Sequence, residues 1–244
     1  MTSMSWHFQS SSDNSRDEGY YETLDPQAIR LRFLCNEDIT EIQNLCQDWF
    51  PISYPKEWYE QIVTPKYYSL VALYEKTIIG LIVCEIKPYL RLNKEDRDIL
   101  PSTFSGCDVG YILSLGVHKK FRRRGIGSLL LDTFLQNITT SDKQNIKAIF
   151  LHVLTTNQAA IIFYEKRNFR YHSFLPYYYS IKGRSRDAFL YVSYLNGGRP
   201  TNFLDQIKQT IYDIICRPVI WIIQRVMHHN RGPTPNSQFK FAQI

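Results

Sequence analysis

The 244-residue chain lacks the means for a disulfide framework or an obvious metal centre. Its five cysteines, Cys35, Cys46, Cys84, Cys107 and Cys216, are odd in number and form no CxxC pair, so reduced thiols are expected. The six histidines show no ligand-like spacing, and no metal is expected. No apolar run approaches the roughly 20 residues that cross a bilayer. The opening stretch MTSMSWHFQSSSDNSRDEGYYETLDPQA lacks the apolar centre of a secretory leader, so secretion is not expected. It is rich in Ser and Asp and reads as a disordered extension over residues 1–28. The net charge of +6 is too small to choose between an anionic small ligand, an anionic membrane surface and nucleic acid.

What the chain does have is apolar material, 44% of its residues, and many aromatics, 17 of them Tyr. That is enough to bury one domain of ordinary size, placed at residues 29–200. IRLRFLC alternates and predicts a strand. NEDITEIQNLCQDWF predicts a helix, with Asn36 as N-cap and Ile39, Ile42, Leu45 and Cys46 on its apolar face. After the Pro-rich loop FPISYP, KEWYEQIV predicts a short helix. Residues 67–87 predict a hairpin turning at Glu75-Lys76, and residues 88–108 read as charged and irregular. A strand at 110–117, a helix at 127–138 and a strand at 146–154 follow. That last run is apolar almost throughout, as a strand buried on both faces requires. NQAAIIFYEKRNF predicts a helix capped by Asn157, with Asn168 left-handed at its end. A hairpin turning at Lys182-Gly183 closes the domain. This order predicts an α+β fold, a mixed sheet covered by helices.

The densest positive charge, FRRRGIGSLLL, stands between the strand at 110–117 and the helix after it. The first N–H groups of a helix have no partner inside it, and glycine lets a ligand approach the backbone. Together with the helix dipole and three arginines this makes a cradle for a pyrophosphate. The string is neither GxGxxG nor GxxxxGK[ST], and a basic run by itself also reads as a solvated patch or an import signal.

At this junction the chain resembles a known family. Arg122-Arg123-Arg124-Gly125-Ile126-Gly127 is similar to the R/Q-x-x-G-x-G/A acetyl-CoA loop of the GCN5-related N-acetyltransferase (GNAT) superfamily. TTNQAAIIFYEKRNF resembles that superfamily's Asn…Tyr…Phe helix, with Asn168 where Gly is usual. DWFPISYP, YILSLGV, FLHVLTTN, LPYYYSI and YLNGG resemble its Golgi-anchored N-alpha-acetyltransferases, the NatF type, over about residues 29 to 200. The resemblance implies a GNAT fold: a strongly twisted mixed sheet between helices on both faces, in three layers.

It also implies a chemistry. Acetyl-CoA is the co-substrate. Leu115, Gly116 and Val117 lend the backbone that holds its pantetheine arm, Gly116 by allowing close approach. Arg123, Arg124, Gly125, Ile126, Gly127 and Ser128 hold the pyrophosphate, and Asn157, Tyr164, Glu165, Lys166 and Arg167 complete the site. Tyr111 and His152 are the acid–base pair. From its own surroundings His152 reads equally well as a hydrogen-bonded core histidine; the resemblance assigns it to catalysis. Phe50, Tyr54, Leu113, Tyr178 and Tyr179 line the acceptor groove, which narrows to admit a chain end. Acceptors implied are protein N-termini, including those of membrane proteins, that start with Met followed by Leu, Ile, Val or Lys. A lysine or histone acetyltransferase on the same fold is the alternative. A basic nucleic-acid adaptor is a second, and no nucleic acid or obligate protein partner is expected.

Beyond residue 200 the character changes. Leu204, Ile207, Ile211, Ile214 and Ile215 fall on one helical stripe, Pro218 interrupts, and VIWII follows. Residues 203–227, within the tail 201–244, predict amphipathic helices lying in a lipid interface, with packing on the domain or a partner as the other possibility. The resemblance implies a peripheral protein on the cytosolic face of the Golgi membrane.

Overall fold

The computed structural model describes residues 28–202, so nearly all of the N-terminal extension and the stripe at 203–227 lie outside the described residues. Seven strands form one sheet in the order β1-β2-β3-β4-β5-β7-β6. They are β1 (Arg30–Phe33), β2 (Tyr67–Tyr74), β3 (Thr77–Pro88), β4 (Asp108–Val117), β5 (Ile146–Leu154), β6 (Arg170–Ile181) and β7 (Arg184–Tyr194). Every pairing is antiparallel except β4 with β5. The helix α3 (Ile126–Ile138) makes the crossover between those two. The remaining helices are α1 (Ile39–Trp49), α2 (Lys56–Ile62) and α4 (Gln158–Glu165). The expected element order and mixed sheet are present.

Two cores lie on opposite faces of the sheet. On one, Ile42, Trp49, Trp58 and Ile62 of α1 and α2 meet Val83, Val109, Tyr111 and Phe150. On the other, Leu130, Leu131 and Phe134 of α3 and Tyr164 of α4 meet Ile82, Ile112, Ile149 and Leu151. β5 is buried on both faces because its neighbours carry helices on each side.

The turns form where the sequence places them. Glu75 and Lys76 have φ of 47° and 73°, and Lys182 and Gly183 have 49° and 71°, as two-residue hairpins require. Asn157 caps α4 by accepting from the Ala160 N–H at 3.2 Å, and Asn168 is left-handed at 64°. The start of α1 differs from expectation. Asn36 is not its cap. A 3-10 turn, Asn36–Asp38, comes first, and the Asp38 carboxylate accepts from the Cys35 N–H at 3.0 Å. Arg32 on β1 holds that carboxylate at 2.5 and 2.7 Å. This bidentate pair anchors the turn and so displaces the helix start to Ile39.

Two departures from regular pairing open the sheet. Val83 pairs with Ser114 but Cys84 with Ile112, so Leu113 is an extra residue, a bulge in β4. Leu113 and Ser114 therefore both face α1 and α2. The β4–β5 ladder also ends early. It runs from Asp108↔Ile146 to Tyr111↔Phe150, after which β4 continues beside β3 and β5 beside β7. The two parallel strands thus diverge, leaving a cleft whose walls are the C-terminal halves of β4 and β5.

Candidate active site

The apex of this cleft holds Tyr111 and His152. Tyr111 stacks on Phe150, its partner across the ladder, at 4.6 Å between ring centroids and 9° between planes. His152 lies two residues further along β5, hence on the same face. The Tyr111 hydroxyl is 3.1 Å from His152 Nδ1. A second hydroxyl, from Tyr178 on β6, reaches the same nitrogen at 3.0 Å, with its ring stacked on the imidazole.

The other imidazole nitrogen, Nε2, lies 2.9 Å from Oδ1 of Asp96. Both side chains are closed to solvent, at 0% and 2% exposure. Asp96 comes from a 3-10 turn, Lys94–Ile99, within the segment that reads as charged and irregular. That turn is held from below. The Tyr89 hydroxyl donates to the carbonyls of Arg97 and Leu100, and the Tyr194 hydroxyl donates to Ile99 at 3.0 Å. A carboxylate on Nε2 fixes the proton there, leaving Nδ1 as an acceptor for a tyrosine hydroxyl. Burial pushes the Tyr111 and Tyr178 hydroxyls well above the ordinary phenol range, and Asp96 acts in the same direction on both. Both stay protonated near neutral pH. The four groups form a buried relay able to pass a proton between histidine and whatever meets the tyrosines.

The acceptor side is aromatic. The Tyr54 hydroxyl and Ser114 Oγ lie 3.0 Å apart, tying the loop between α1 and α2 to the bulge of β4. Trp58 stacks on Tyr54 at 4.0 Å, and Phe50 meets it edge-on at 5.8 Å. Leu113 is buried in the core beneath them. Tyr179 is buried, and its hydroxyl donates to the His152 carbonyl at 3.0 Å. Tyr178 belongs to the relay, so of the three consecutive tyrosines Tyr177 is the exposed one, with φ of 55°.

At Gly116 the protein itself crowds the position a side chain would take. A Cβ on Gly116 would stand 2.8 Å from both Phe50 and Trp49. Glycine is required there by the close approach of α1 and the loop after it, which press on β4 from the acceptor face. Leu115 faces the opposite core, and Val117 is partly buried against it.

Past Val117 the chain forms the basic turn. Arg123 and Gly125 have φ of 62° and 82°, and Gly125 caps α3. The first helical bond runs from Leu129 N to Gly125 O at 2.9 Å. The N–H groups of Ile126, Gly127 and Ser128 precede it and project from the helix end. A Cβ on Gly127 would lie 3.6 Å or more from Phe163 and Val117, an ordinary contact. The protein itself leaves room for a methyl group at Gly127, in keeping with the R/Q-x-x-G-x-G/A pattern, in which Ala also stands at this position. Arg122 Nε donates to the Val117 carbonyl at 3.0 Å, folding the turn against β4, while Arg123 is exposed. An anion with an extended arm fits this arrangement: phosphate at the helix end, arm along β4, reactive end at Tyr111.

On the other wall, Arg167 lies 4.2 Å over the Phe163 ring and donates to Ser128 Oγ, joining α4 to the start of α3. Tyr164 is buried under α4 against Phe169 at 5.3 Å. Lys166 is exposed, and Glu165 accepts from the Tyr191 hydroxyl at 2.8 Å. Asp96 and Ser114 are the site residues that sequence reasoning missed. Asp96 has a weak signal, one of several acids in NKEDRDIL; Ser114 has none beyond its place in YILSLGV. Among the described residues, no group of three or more His, Cys, Asp or Glu side chains is placed to hold a metal ion.

Comparison with known proteins agrees with this geometry. The family model "Acetyltransferase (GNAT) family" matches residues 36–169. N-alpha-acetyltransferase 60 of Drosophila melanogaster is 52% identical over 204 residues, covering 74% of each chain. Its namesake in Xenopus tropicalis is 55% identical over 172 residues, covering 70% of this chain and 71% of the relative. Among solved structures, Arabidopsis thaliana NAA60 in complex with acetyl-CoA superposes with a TM-score of 0.63 at 26% identity, covering 69% of this chain and 99% of that one. A cleft between diverging parallel strands, a basic helix cap beside it, and these matches lead to one conclusion: the chain belongs to the GNAT family of acetyltransferases.

Proposed function

We infer that the protein is an acetyl-CoA-dependent N-alpha-acetyltransferase, moving an acetyl group to the α-amine of protein N-termini. The observation that carries this reading is the convergence of Tyr111 and Tyr178 on His152 Nδ1, with Asp96 behind. The relatives bearing that activity's name extend it from the family to the acceptor.

Bound acetyl-CoA supplies the acetyl group as a thioester. Arg123 to Ser128 hold its pyrophosphate, and the free edge of β4 orients the arm. As the new C–N bond forms, the amine nitrogen must shed a proton. One tyrosine of the relay accepts it while handing its own to His152 Nδ1, and Asp96 stabilises the resulting imidazolium. As the C–S bond breaks, the sulfur leaves as a thiolate and takes a proton from a relay hydroxyl, for which Tyr111 on β4 is placed. His152 then returns its proton, and the relay is restored. An α-amine, with a pKa of about 7.7–8.0, needs only this neutral relay, whereas a lysine near 10.4 needs a stronger base.

The aromatic loop that carries Phe50 and Tyr54, and that meets the Tyr178–Tyr179 cluster through Ile52, favours Met followed by an apolar or amphipathic residue. The tail 203–227, read from its sequence stripe, and the NatF-type resemblance support attachment to the cytosolic face of the Golgi membrane, with membrane proteins among the substrates and lipid as a partner. The test is an acetylation assay on peptides beginning Met-Leu, Met-Ile, Met-Val or Met-Lys, against N-blocked peptides carrying an internal lysine. Turnover of the first set is expected. Faster turnover of the lysine set overturns the reading.

A further inference from the structure

We propose that Lys87 tunes the proton relay, its charge keeping the Tyr111–His152 unit from holding a proton at rest. The proposal rests on the acid–base reading of Tyr111 and His152. Lys87 lies on β3, near the end of the strand, and its ammonium stands over the Tyr111 ring, 4.9 Å from the centroid and 5.9 Å from that of Phe150. The side chain is only 18% exposed, so solvent screens it weakly. A cation over an aromatic face in such a place is held by the ring and acts back upon it.

The charges around Tyr111 define what Lys87 counters. From the 88–107 segment comes Asp96, which bonds His152 and favours a proton in the relay. From β6 comes the neutral Tyr178, and from the loop after α1 the neutral Tyr54. On β3, Glu85 pairs across the ladder with Tyr111. Its Oε2 is 3.7 Å from Lys87, and its Oε1 is 3.3 Å from Lys66 at the surface. The string Lys66–Glu85–Lys87 therefore ends in a cation pressed against the catalytic ring. Without Lys87, Asp96 and Glu85 would leave the relay in a negative field that retains the proton taken from the amine. With it, the relay rests empty and ready to accept. A purely structural lysine would not influence the pH at which the relay fills.

The two members of the pair give opposite signs, and this makes the test specific. The pH dependence of kcat is measured on the full chain, with acetyl-CoA and a Met-Leu peptide both saturating, so that it reports groups in the bound complex. Lys87→Met is expected to move the acid limb to higher pH, by about one unit, corresponding to a tenfold change in proton affinity. Glu85→Gln is expected to move it to lower pH, and Lys87→Arg, which keeps charge and stacking, to leave it in place. Acetyl-CoA affinity, read by calorimetry, should be unchanged in all three. If Lys87→Met and wild type give superimposable limbs, or if both substitutions move the limb in one direction, the tuning role is wrong. Tyr111→Phe separates the two levels. Wild-type turnover in that variant overturns the acid–base reading and this proposal with it; loss of turnover alongside an unmoved Lys87→Met limb overturns this proposal alone.

Discussion

Asp96 Oδ1 stands 2.9 Å from His152 Nε2, behind the imidazole and on the side away from the two tyrosine hydroxyls. It touches neither acetyl-CoA nor acceptor in the proposed mechanism, so it is a positioning residue. Its loss is predicted to slow the chemistry without weakening cofactor binding. Asp96→Asn presents an NH2 group to Nε2, which drives the ring proton to Nδ1 and removes the acceptor the tyrosines need. The expected result is a fall in kcat of roughly 10²-fold or more, with the acetyl-CoA dissociation constant unchanged by calorimetry. Wild-type kcat would make Asp96 a packing residue.

At the cofactor end, Gly127 separates ligand demand from protein demand. A methyl group there meets only ordinary contacts within the protein. Gly127→Ala should therefore unfold at the wild-type temperature and keep its affinity for acetyl-CoA, as the G/A position of the R/Q-x-x-G-x-G/A pattern allows, whereas Gly127→Asp places a carboxylate in the first turn of α3, where a pyrophosphate would sit, and should lose most of that affinity. Gly125 cannot make this distinction, since φ of 82° strains any side chain. Unchanged calorimetric affinity in Gly127→Asp would place the pyrophosphate elsewhere.

The sequence discloses the parts of this site that depend on neighbours in the chain. The hairpins at Glu75-Lys76 and Lys182-Gly183, the cap at Asn157 and the turn at Asn168 are local events, set by which residues tolerate positive φ or can bond their own backbone. Strand β5 is legible because burial on both faces leaves a run of apolar residues. Asp96 and the bulge at Leu113 are not legible, because each is defined by a partner 56 or about 30 residues away. Gly116 shows the same limit. Its glycine can be read, but the neighbour that requires it, Trp49 and Phe50 on one side or a ligand on the other, is decided by the packing of α1. Asn36 fails as a cap for a related reason: Arg32, on a different element, recruits Asp38 instead.

That recruitment has a consequence in acid. Arg32 bonds hold the Asp38 carboxyl down to about 2, against an ordinary 3.8. A carboxyl depressed in the folded state stabilises it fully above the ordinary value and loses that contribution as pH falls towards the folded value. The window is therefore pH 4 to 2. Arg32 is 40% exposed, so solvent screening limits the pair to about 1 kcal/mol. Asp38→Asn should lower the urea midpoint at pH 7, and the gap from wild type should narrow below pH 4. A gap constant from pH 7 to pH 3 would show that the charge contributes nothing.

The last expectation concerns attachment. The stripe from Leu204 to Ile215, the break at Pro218 and the cluster around Trp221 place apolar side chains together on a helical pattern. No helix among the described residues is long and apolar enough to cross a membrane. Burial of an apolar face at an interface stabilises binding by roughly 25 cal/mol per Å², and this grows with every residue of the stripe. Lys208, Arg217 and Arg225 add attraction to anionic lipid, about 1 kcal/mol each when near the surface, while Asp205 and Asp213 oppose it. The apolar contribution should dominate, so high salt should release the protein only in part. Where the tail is cut matters for reading the result. The Thr201 hydroxyl donates to the Asp98 carbonyl at 3.1 Å, in the same turn that supplies Asp96. A chain ending at Asn202 keeps that bond and should retain full activity on soluble peptides while leaving the membrane fraction. Asp at both Ile214 and Ile222 in the full chain should release it equally. If the chain ending at Asn202 still sediments with membranes as the full chain does, the stripe is not the anchor, and it is left to pack on the domain or on a partner.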